Sequence, residues 1–336
     1  MSHVTIKDVA KAANVSITTV SLVLNNKAES ISKETVELVQ QVCRDLNYQR
    51  NFFASSLKSK VTNTIGLILP HLDSGYYSHI ASCLDTILFE KGYTLLVASS
   101  DNDFEKEMNL FKQMEARQVD YLVILPSSKS LLNENKNVLH DVLKQLSIKY
   151  VVLDRRTGFN DHIEVVNDDY CGASLAVEHL IKCGHKRIAC ITGPNNVSSS
   201  DERLRGYKDV LKKNGISFDQ SLIYEGDYTF NTAREISKKI IKRSDIDAVF
   251  AFNDMSAYAL YDIYVENDKK IGRDISVVGF DDNPFSSLIS PSLTTVKQDI
   301  HSICYKAIDE LLKDNSKNKM IKILPTLVER KSVCVK

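Results

Sequence analysis

Residues 5–26 have the sequence TIKDVAKAANVSITTVSLVLNN, in which two short amphipathic patterns flank a break. Starting at Ile6, apolar side chains recur at i, i+3, i+4 and i+7, which is the spacing of one face of an α-helix. Thr5 and Asp8 form a T-x-x-D pair, a pattern typical of a helix N-terminus. The break is predicted at Asn14, because Asn tolerates the left-handed backbone conformation that a tight turn requires.

The second pattern starts after Ser16, a candidate N-cap, and predicts a helix over residues 17–24. One face of this helix is apolar and is expected to pack on the first helix, while the other face carries Ile17, Thr18, Ser21 and Leu22. A third helix is predicted from Ser32 onward. Two helices joined by a short turn predict a DNA-binding unit whose second helix enters the major groove, although a three-helix bundle without a DNA role would share the pattern.

Charge is distributed unevenly along the 336 residues. The whole chain has 43 Lys and Arg against 43 Asp and Glu, so its formal net charge is zero. Residues 1–60 contain eight basic and five acidic side chains, which leaves the remainder with a small negative charge. This split suits a small DNA-binding unit attached to a larger domain with a different task.

The composition also excludes several classes of protein. The seven cysteines show no C-x-x-C pair and no Cys/His cluster with metal-ligand spacing, so neither a metal nor another cofactor is expected. The motifs G-x-x-x-x-G-K-[ST], G-x-G-x-x-G and G-x-S-x-G are absent, which argues against an enzyme. The N-terminus has no signal-peptide pattern, and no apolar run approaches the ~18 residues of a membrane span. A cytoplasmic protein without a membrane partner is therefore expected.

Three segments follow from the patterns: a helical head over residues 1–47, a polar and basic connector over 48–63, and a core over 64–336. In the core, apolar strand patterns alternate with amphipathic helices, and strands are predicted at residues 64–69, 94–98, 121–125, 150–154, 187–192, 221–224, 248–252 and 276–280. Near-continuous apolar strands separated by helices predict parallel sheets covered on both faces. Because so many strands exceed one doubly wound domain, we expect an α/β core of two subdomains with a cleft between them.

Ligands of open parallel sheets bind beyond the carboxyl ends of the strands. The polar and aromatic side chains predicted for such a site are Tyr76, Tyr77, Asp154, Arg155, Arg203, Tyr228, Asn253, Asp281 and Gln298. Taken singly, each suits a surface loop, a helix cap or an aromatic core position, and Asp254 in particular suits a helix N-cap. Together they offer a fan of hydrogen-bonding groups and an aromatic wall, which is what a sugar requires.

The whole chain resembles the LacI–GalR family of bacterial repressors. Eight strings occur in the order in which family members have them: IGLILP, VDYLVILPSS, VVLDRR, ERLRGY, AFNDMSA, DISVVGFDD, SLTTVKQD and LVERKS. The resemblance implies an all-α helix-turn-helix head followed by a two-lobed, periplasmic-binding-protein-like core of parallel sheets. We expect an N-subdomain over about 64–156 and 286–319, and a C-subdomain over about 157–285 and 320–336.

For DNA binding, the resemblance implies contacts from one set of residues in the head: Thr5, Ser16, Ile17, Thr18, Thr19, Ser21, Leu22 and Asn25. The recognition contacts themselves map to Ile17, Thr18 and Leu22. Many family members carry Arg or His where this chain has Leu22. An apolar Leu suits a thymine methyl group rather than a guanine, so we expect an operator that differs from the common one at that base pair.

Residues 51–58 of the connector, NFFASSLK, match the hinge helix of the family. In the family this helix forms on operator DNA and inserts a Leu, here Leu57, into the minor groove. Asn51 and Ala54 keep the hinge pattern, whereas Ser55 replaces the usual Arg.

For the effector, the resemblance implies that a homodimer on a pseudo-palindromic operator responds to a small sugar bound in the interlobe cleft. The pocket is most like that of the ribose operon repressor subgroup, but Ser74 and Leu125 depart from it. Another sugar, a purine or a phosphorylated co-regulator protein is the alternative effector, and the direction of the response stays open. A stand-alone sugar-binding protein would share the core but not the head. No heptad repeat ends the sequence, which favours a dimer over a tetramer.

Overall fold

The computed structural model describes residues 4–24, 27–48, 61–195, 197–314 and 317–336. The chain divides into two compact units, Met1–Thr62 and Asn63–Lys336. Each unit has apolar side chains packed in a core of its own. None of the described helices is long and apolar enough to cross a membrane.

The first unit contains three described helices, α1 (Ile6–Ala12), α2 (Ile17–Leu24) and α3 (Lys33–Asp45). One valine from each helix is fully buried at the centre of the unit: Val9, Val20 and Val39. The bounds of α2 are those predicted from the sequence, and the head has the helix–turn–helix arrangement that the spacing of apolar residues indicated.

Local hydrogen bonds fix the ends of these helices. The hydroxyl group and the backbone N–H of Thr5 both donate to the Asp8 carboxylate, at 2.7 and 2.8 Å, and they hold the pKa of Asp8 below its usual value. Asn14 has a φ of 50°, as the predicted turn requires. The hydroxyl oxygen of Ser16 accepts from the backbone N–H of Thr19 at 3.0 Å, so Ser16 caps α2 as predicted.

The second unit contains two six-stranded sheets in its described part. Their strands are β1 (Thr64–Leu69), β2 (Thr94–Ser99), β3 (Tyr121–Ile124), β4 (Lys149–Leu153), β5 (Ile163–Asn167), β6 (Ile188–Ile191), β7 (Ile223–Tyr224), β8 (Ala248–Ala251), β9 (Ser276–Asp281), β10 (Thr294–Lys297), β11 (Lys319–Ile323) and β12 (Thr326–Val328). One sheet has the order β11-β5-β4-β3-β1-β2 and the other β12-β10-β9-β8-β6-β7. All neighbouring strands are parallel except β10 and β12.

Helices cover both faces of each sheet. They are α4 (Gly75–Glu90), α5 (Phe104–Ala116), α6 (Asn133–Gln145), α7 (Asp169–Lys182), α8 (Ser198–Lys213), α9 (Phe230–Ile240), α10 (Asp254–Glu266) and α11 (Ile300–Leu312). In the first lobe, α4 and α11 pack on one face of the β1 sheet, and α5 and α6 pack on the other. In the second lobe, α7 and α8 pack on one face of the β8 sheet, and α9 and α10 pack on the other. This arrangement is the predicted α/β core of two parallel-sheet lobes.

The predicted bounds of the two lobes are wrong at three places. Strand β5 pairs with β4, so residues 157–167 belong to the first lobe. Strand β10 pairs with β9, so residues 286–297 belong to the second lobe. Strand β11 pairs with β5 and extends the first lobe to residue 323. The chain therefore crosses between the lobes after β5, after β10 and after β11.

The strands behind these errors carried weak sequence signals. Strand β5, IEVVN, holds a buried glutamate, Glu164, whose carboxylate accepts from the hydroxyl of Thr157 at 2.7 Å. Strand β11, KMIKI, lies at a sheet edge and alternates charged with apolar residues, so its hydrophobicity is low. Neither pattern has the continuous apolar run by which the central parallel strands were found.

The buried face of α4 provides a test of this packing. Leu84 is fully buried between the first sheet and α11, so Leu84→Ala leaves a cavity and should lower the free energy of unfolding by about 2–5 kcal/mol. Phe89 lies on the same helix but is 80% exposed, so Phe89→Ala should change it by less than about 0.5 kcal/mol. Urea unfolding of the full chain, followed by circular dichroism, measures both. Equal effects would contradict the packing of α4.

Candidate functional site

A cavity of about 360 Å³ lies between the two lobes of the core, beyond the carboxyl ends of the strands. All nine side chains predicted for the ligand site line it: Tyr76, Tyr77, Asp154, Arg155, Arg203, Tyr228, Asn253, Asp281 and Gln298. They come from both lobes and from one of the segments that cross between them. The size of the cavity suits a small molecule.

Sequence reasoning missed several residues that also line the cavity: Pro70, His71, Asp73, Gly75, Asn102, Ser128, Ser199, Asp227, Thr229, Phe230, Asp254, Met255 and Asn283. Many of them are close in sequence to a predicted residue, as Phe230 is to Tyr228. The rule that ligands bind beyond strand ends would have found them if whole loops had been considered. Ser74 lines the cavity too, whereas Leu125 is buried in the core of the first lobe.

Tyr76, in the first turn of α4, is the centre of a hydrogen-bond network at the cavity. Its hydroxyl group lies 2.6 Å from Oδ1 of Asp154 and 3.1 Å from Oε1 of Gln298. The amide nitrogen of Asn167, at the end of β5, donates to the same hydroxyl oxygen at 3.1 Å. Burial next to the Asp154 carboxylate raises the pKa of Tyr76 well above its usual value, so the phenol keeps its proton. The network joins segments that are distant in sequence.

Asp281, at the end of β9, faces this network from the second lobe. The Nε2 atom of Gln298 donates to Oδ1 of Asp281 at 2.6 Å. Burial raises the pKa of the Asp281 carboxyl well above its usual value, an effect that Arg203 opposes and Asp254 reinforces. A carboxyl held in this way accepts hydrogen bonds from a ligand hydroxyl group more readily than it tolerates a second negative charge.

Arg203, on α8, is held rigidly below the cavity. Its Nε and Nη2 atoms lie 2.8 and 2.7 Å from Oδ1 of Asp169, and both side chains are almost fully buried. Nη1 donates to the backbone oxygen of Phe252. The guanidinium carbon lies 3.6 Å from the centre of the Phe280 ring, so the cation also stacks on an aromatic face. These contacts leave few of the five N–H groups of Arg203 for a ligand.

Arg155 is anchored in the first lobe. Its Nη1 atom donates to the backbone oxygen of Pro126 at 3.1 Å and to the hydroxyl oxygen of Ser128 at 3.0 Å. Its guanidinium carbon lies 5.8 Å from the centre of the Tyr77 ring. Among the described residues the other N–H groups of Arg155 have no hydrogen-bond acceptor, and they are available to a ligand oxygen.

Three cavity residues adopt a backbone conformation that ordinarily favours glycine. The φ angles are 71° for Asp154, 69° for Tyr228 and 116° for Asp281. Each such residue costs about 1–3 kcal/mol, and such strain collects at ligand-binding sites. The side chains at these positions are therefore kept in place at the expense of stability, a feature that sequence patterns do not reveal.

Asn253 and Asp254 exchange the roles that the sequence suggested. Asn253 is the N-cap of α10, since its Oδ1 atom accepts from the backbone N–H of Ser256 at 3.0 Å, and its amide donates to the backbone oxygen of Tyr228. Asp254 is the first residue of the helix rather than its cap. Its carboxylate accepts from the hydroxyl groups of Thr295 and Ser286, both at 2.6 Å, and burial raises its pKa to about 6.

The candidate DNA-binding side chains of the head lie mostly at the surface. Ile17 is 45% exposed at the start of α2, although large aliphatic side chains are usually buried, and Thr18 is exposed beside it. Leu22 is half-buried one turn later. Ser16 and Thr19 pair through their hydroxyl groups at 2.8 Å, which orients both at the helix N-terminus. The remaining described members of the predicted set are Thr5, which is exposed, and Ser21, which is half-buried.

Five predicted DNA-binding residues lie outside the described residues. They are Asn25, Asn51, Ala54, Ser55 and Leu57. Within the described ranges, no group of three or more His, Cys, Asp or Glu side chains could hold a metal ion.

Comparison with protein families matches the two units separately. Residues 5–51 match the family of bacterial regulatory proteins named after LacI. Residues 177–333 match a periplasmic binding protein-like domain.

Individual relatives match over nearly the whole chain. The ribose operon repressor of Halalkalibacterium halodurans is 32% identical over 301 residues, which cover 89% of this chain and 86% of that protein. The transcriptional repressor PurR of Vibrio atlanticus is 32% identical over 335 residues, 98% of each chain. The crystal structure of the lac repressor dimer bound to operator and the anti-inducer ONPF is 27% identical, covers 99% of this chain and 100% of that one, and has a TM-score of 0.88.

The ion pair of Arg203 gives a test of the cavity floor. Asp169→Asn removes the charge that compensates a buried guanidinium, so we expect the free energy of unfolding to fall by about 3–5 kcal/mol. The matched control is Glu178→Gln, which breaks the Lys213–Glu178 pair between the same two helices. Lys213 is 73% exposed, so the control should cost at most about 1 kcal/mol. Urea unfolding of the two variants decides, and similar losses would refute the role given to Asp169.

Proposed function

The chain belongs to the LacI family of bacterial regulatory proteins, and we propose that it is a homodimeric repressor whose affinity for a pseudo-palindromic operator is controlled by a small sugar bound in the interlobe cleft. The family makes it a DNA-binding transcriptional regulator and not an enzyme. The observation that carries the proposal is the convergence of the nine predicted side chains on a single cavity. We place its action in the cytoplasm, where operator DNA is accessible.

The hydrogen-bonding groups of the cavity suit a polyol. Oδ2 of Asp154 and Oδ2 of Asp281 have no hydrogen-bond donor among the described residues, and sugar hydroxyl groups are donors of the right kind. The cavity also contains Asp73 and Asp227, so acidic side chains outnumber Arg155 and Arg203. A phosphorylated sugar or another anion would be repelled by these carboxylates. The charge of the cavity therefore favours a neutral sugar.

The aromatic residues of the cavity favour a sugar over a flat base. Tyr76 and Tyr77 meet edge to face, with ring centres 5.4 Å apart and planes at 60°. The two rings therefore do not form a parallel slot in which a purine could be sandwiched. A single ring face packs well against the C–H face of a sugar ring, and the Tyr228 ring on the opposite lobe provides a second surface.

Ribose is the sugar we favour. The pair Asp154 and Arg155 followed by Arg203, Asp281 and Gln298 is the ribose-type set, and one relative is a ribose operon repressor. Ser74 stands in the cavity where ribose sites usually have Asn. Another neutral sugar is the alternative, since PurR is as similar to this chain as the ribose operon repressor is.

The proposed response starts at the lobes. A sugar that contacts Asp154 in the first lobe, Asp281 in the second and Gln298 between them binds one lobe arrangement better than another. The connector over residues 48–63 then carries this preference to the head, so that sugar binding and operator binding change each other's affinity reciprocally. The sign of that change defines the sugar as inducer or corepressor.

DNA recognition by α2 can be tested with the full chain. DNA selected from a random double-stranded pool by the unmodified protein serves as the probe, and fluorescence anisotropy gives the dissociation constant. Thr18→Ala should weaken binding about 5- to 150-fold, because one base contact contributes about 1–3 kcal/mol. Gln41→Ala is the control, since Gln41 is exposed on α3 and its amide nitrogen donates to Asp45 in the same helix. Equal affinities for both variants would contradict the recognition role.

Sugar binding can be tested at Asp281. A thermal-shift panel of free and phosphorylated sugars should stabilise the unmodified protein with a free sugar and not with its phosphate. Asp281→Asn keeps the size of the side chain but removes a charged acceptor, so calorimetry should show binding about 10- to 150-fold weaker. Asp262→Asn, in the Arg234 ion pair on the surface of the second lobe, is the control and should bind normally. Full-strength binding by Asp281→Asn would refute the site.

A further inference from the structure

The hydroxyl group of Tyr76 stands where a ligand hydroxyl group would be expected. Resting on the proposed function, we propose that Tyr76 determines the specificity of the cleft: its phenol occupies one hydroxyl position of the site, so the accepted sugar lacks a hydroxyl group at that point. The residue thus acts as a built-in substitute for part of the ligand. This goes beyond the assignment of a sugar, because it concerns which hydroxyl pattern the site accepts.

The partners of the Tyr76 hydroxyl are those a sugar would use. Asp154 lies at the end of β4, and its Oδ1 atom accepts at 2.6 Å. Asn167, at the end of β5, donates its amide N–H at 3.1 Å. Gln298, after β10, presents its Oε1 atom at 3.1 Å. A carboxylate acceptor with amide groups beside it is the usual surrounding of a bound sugar hydroxyl.

Proton counting shows what Tyr76 leaves to the ligand. A phenol has one proton, so it makes one full donation. The distance of 2.6 Å to Asp154 is that of a charge-assisted O–H···O⁻ bond, so the proton goes to Asp154. Oε1 of Gln298 then keeps acceptor capacity, and Asp154 keeps its Oδ2 atom. A ligand hydroxyl is received at these atoms and not at Oδ1 of Asp154.

A sugar with a hydroxyl group at the phenol position would have to displace Tyr76. Asn167 would then lose its contact with Tyr76, while its Oδ1 atom is already buried without a hydrogen-bond partner among the described residues. Leaving a buried amide without partners costs about 1–3 kcal/mol. The neighbouring Tyr77 makes no such contact, because in the described part of the chain its hydroxyl group has no hydrogen bond and only its ring is used.

Tyr76→Phe tests the proposal by opening a gap of one oxygen atom. The probes are three sugar pairs that each differ by one hydroxyl: D-ribose and 2-deoxy-D-ribose, D-glucose and 2-deoxy-D-glucose, and D-galactose and 6-deoxy-D-galactose. Calorimetry on the full chain gives the ratio of dissociation constants in each pair. In at least one pair we expect Tyr76→Phe to shift this ratio at least about tenfold toward the sugar with the extra hydroxyl, because the vacated acceptor now favours it.

Tyr261→Phe is the matched control. Tyr261 is buried in the second lobe away from the cavity, and its hydroxyl group donates to the backbone oxygen of Pro291 at 2.8 Å. The control loses a buried phenol hydrogen bond without changing the site, so its ratios should stay within twofold of the unmodified protein. If Tyr76→Phe binds sugars with unchanged ratios, the inference is wrong and the sugar site stands. If neither protein binds any sugar of the panel, the proposed function fails and the inference with it.

A crystal structure of Tyr76→Phe without sugar provides a readout that needs no ligand. We expect an ordered water in the gap, within hydrogen-bonding distance of Oδ1 of Asp154 and of Asn167. A gap closed by movement of Asp154 onto Asn167, with no water, would overturn the inference, because the position would then not hold a hydroxyl oxygen.

Discussion

The chain passes between its two lobes three times, and this constraint determines where every residue of the cleft lies. Because both sheets are parallel around their centres, the carboxyl ends of their strands face one gap, and the crossings after β5 and β10 run along its floor. Asn167 and Gln298 belong to those crossings, so the polar contacts of the cleft and the connections between the lobes are made by the same segments. A ligand in the gap acts directly on the parts of the chain that would bend.

Charge inside the core is tolerated because each charged group has a fixed partner. Arg203 is buried against Asp169 and the Phe280 ring, and this pair holds a positive charge beneath the carboxyl of Asp281. The left-handed backbone at Asp154, Tyr228 and Asp281 adds strain at the same place. A core selected for stability alone would avoid both features, so their coincidence around one cavity indicates selection for binding.

The sequence was sufficient for features that depend on local pattern or on strand ends. Asn14, Ser16 and the apolar spacing predicted the head, and nine cleft residues were found from their positions beyond strands. It was not sufficient where long-range pairing decides. Strand β5 hides a buried Glu164, β11 is a charged edge strand, and Asn253 and Asp254 compete for one helix terminus on equal terms. The partners of Tyr76 are 78, 91 and 222 residues away along the chain, so no spacing rule connects them.

Those separations have a consequence for regulation. The Tyr76 hydroxyl joins the first lobe at Asp154 to the crossings at Asn167 and Gln298, and Gln298 continues the network to Asp281 in the second lobe. The group that selects the sugar is therefore also a link between the lobes. A substitution that changes the preferred hydroxyl pattern also changes the energy of one lobe arrangement relative to the other. In this protein, sugar specificity and the strength of the response to sugar are expected to vary together, since both depend on the same hydrogen bonds.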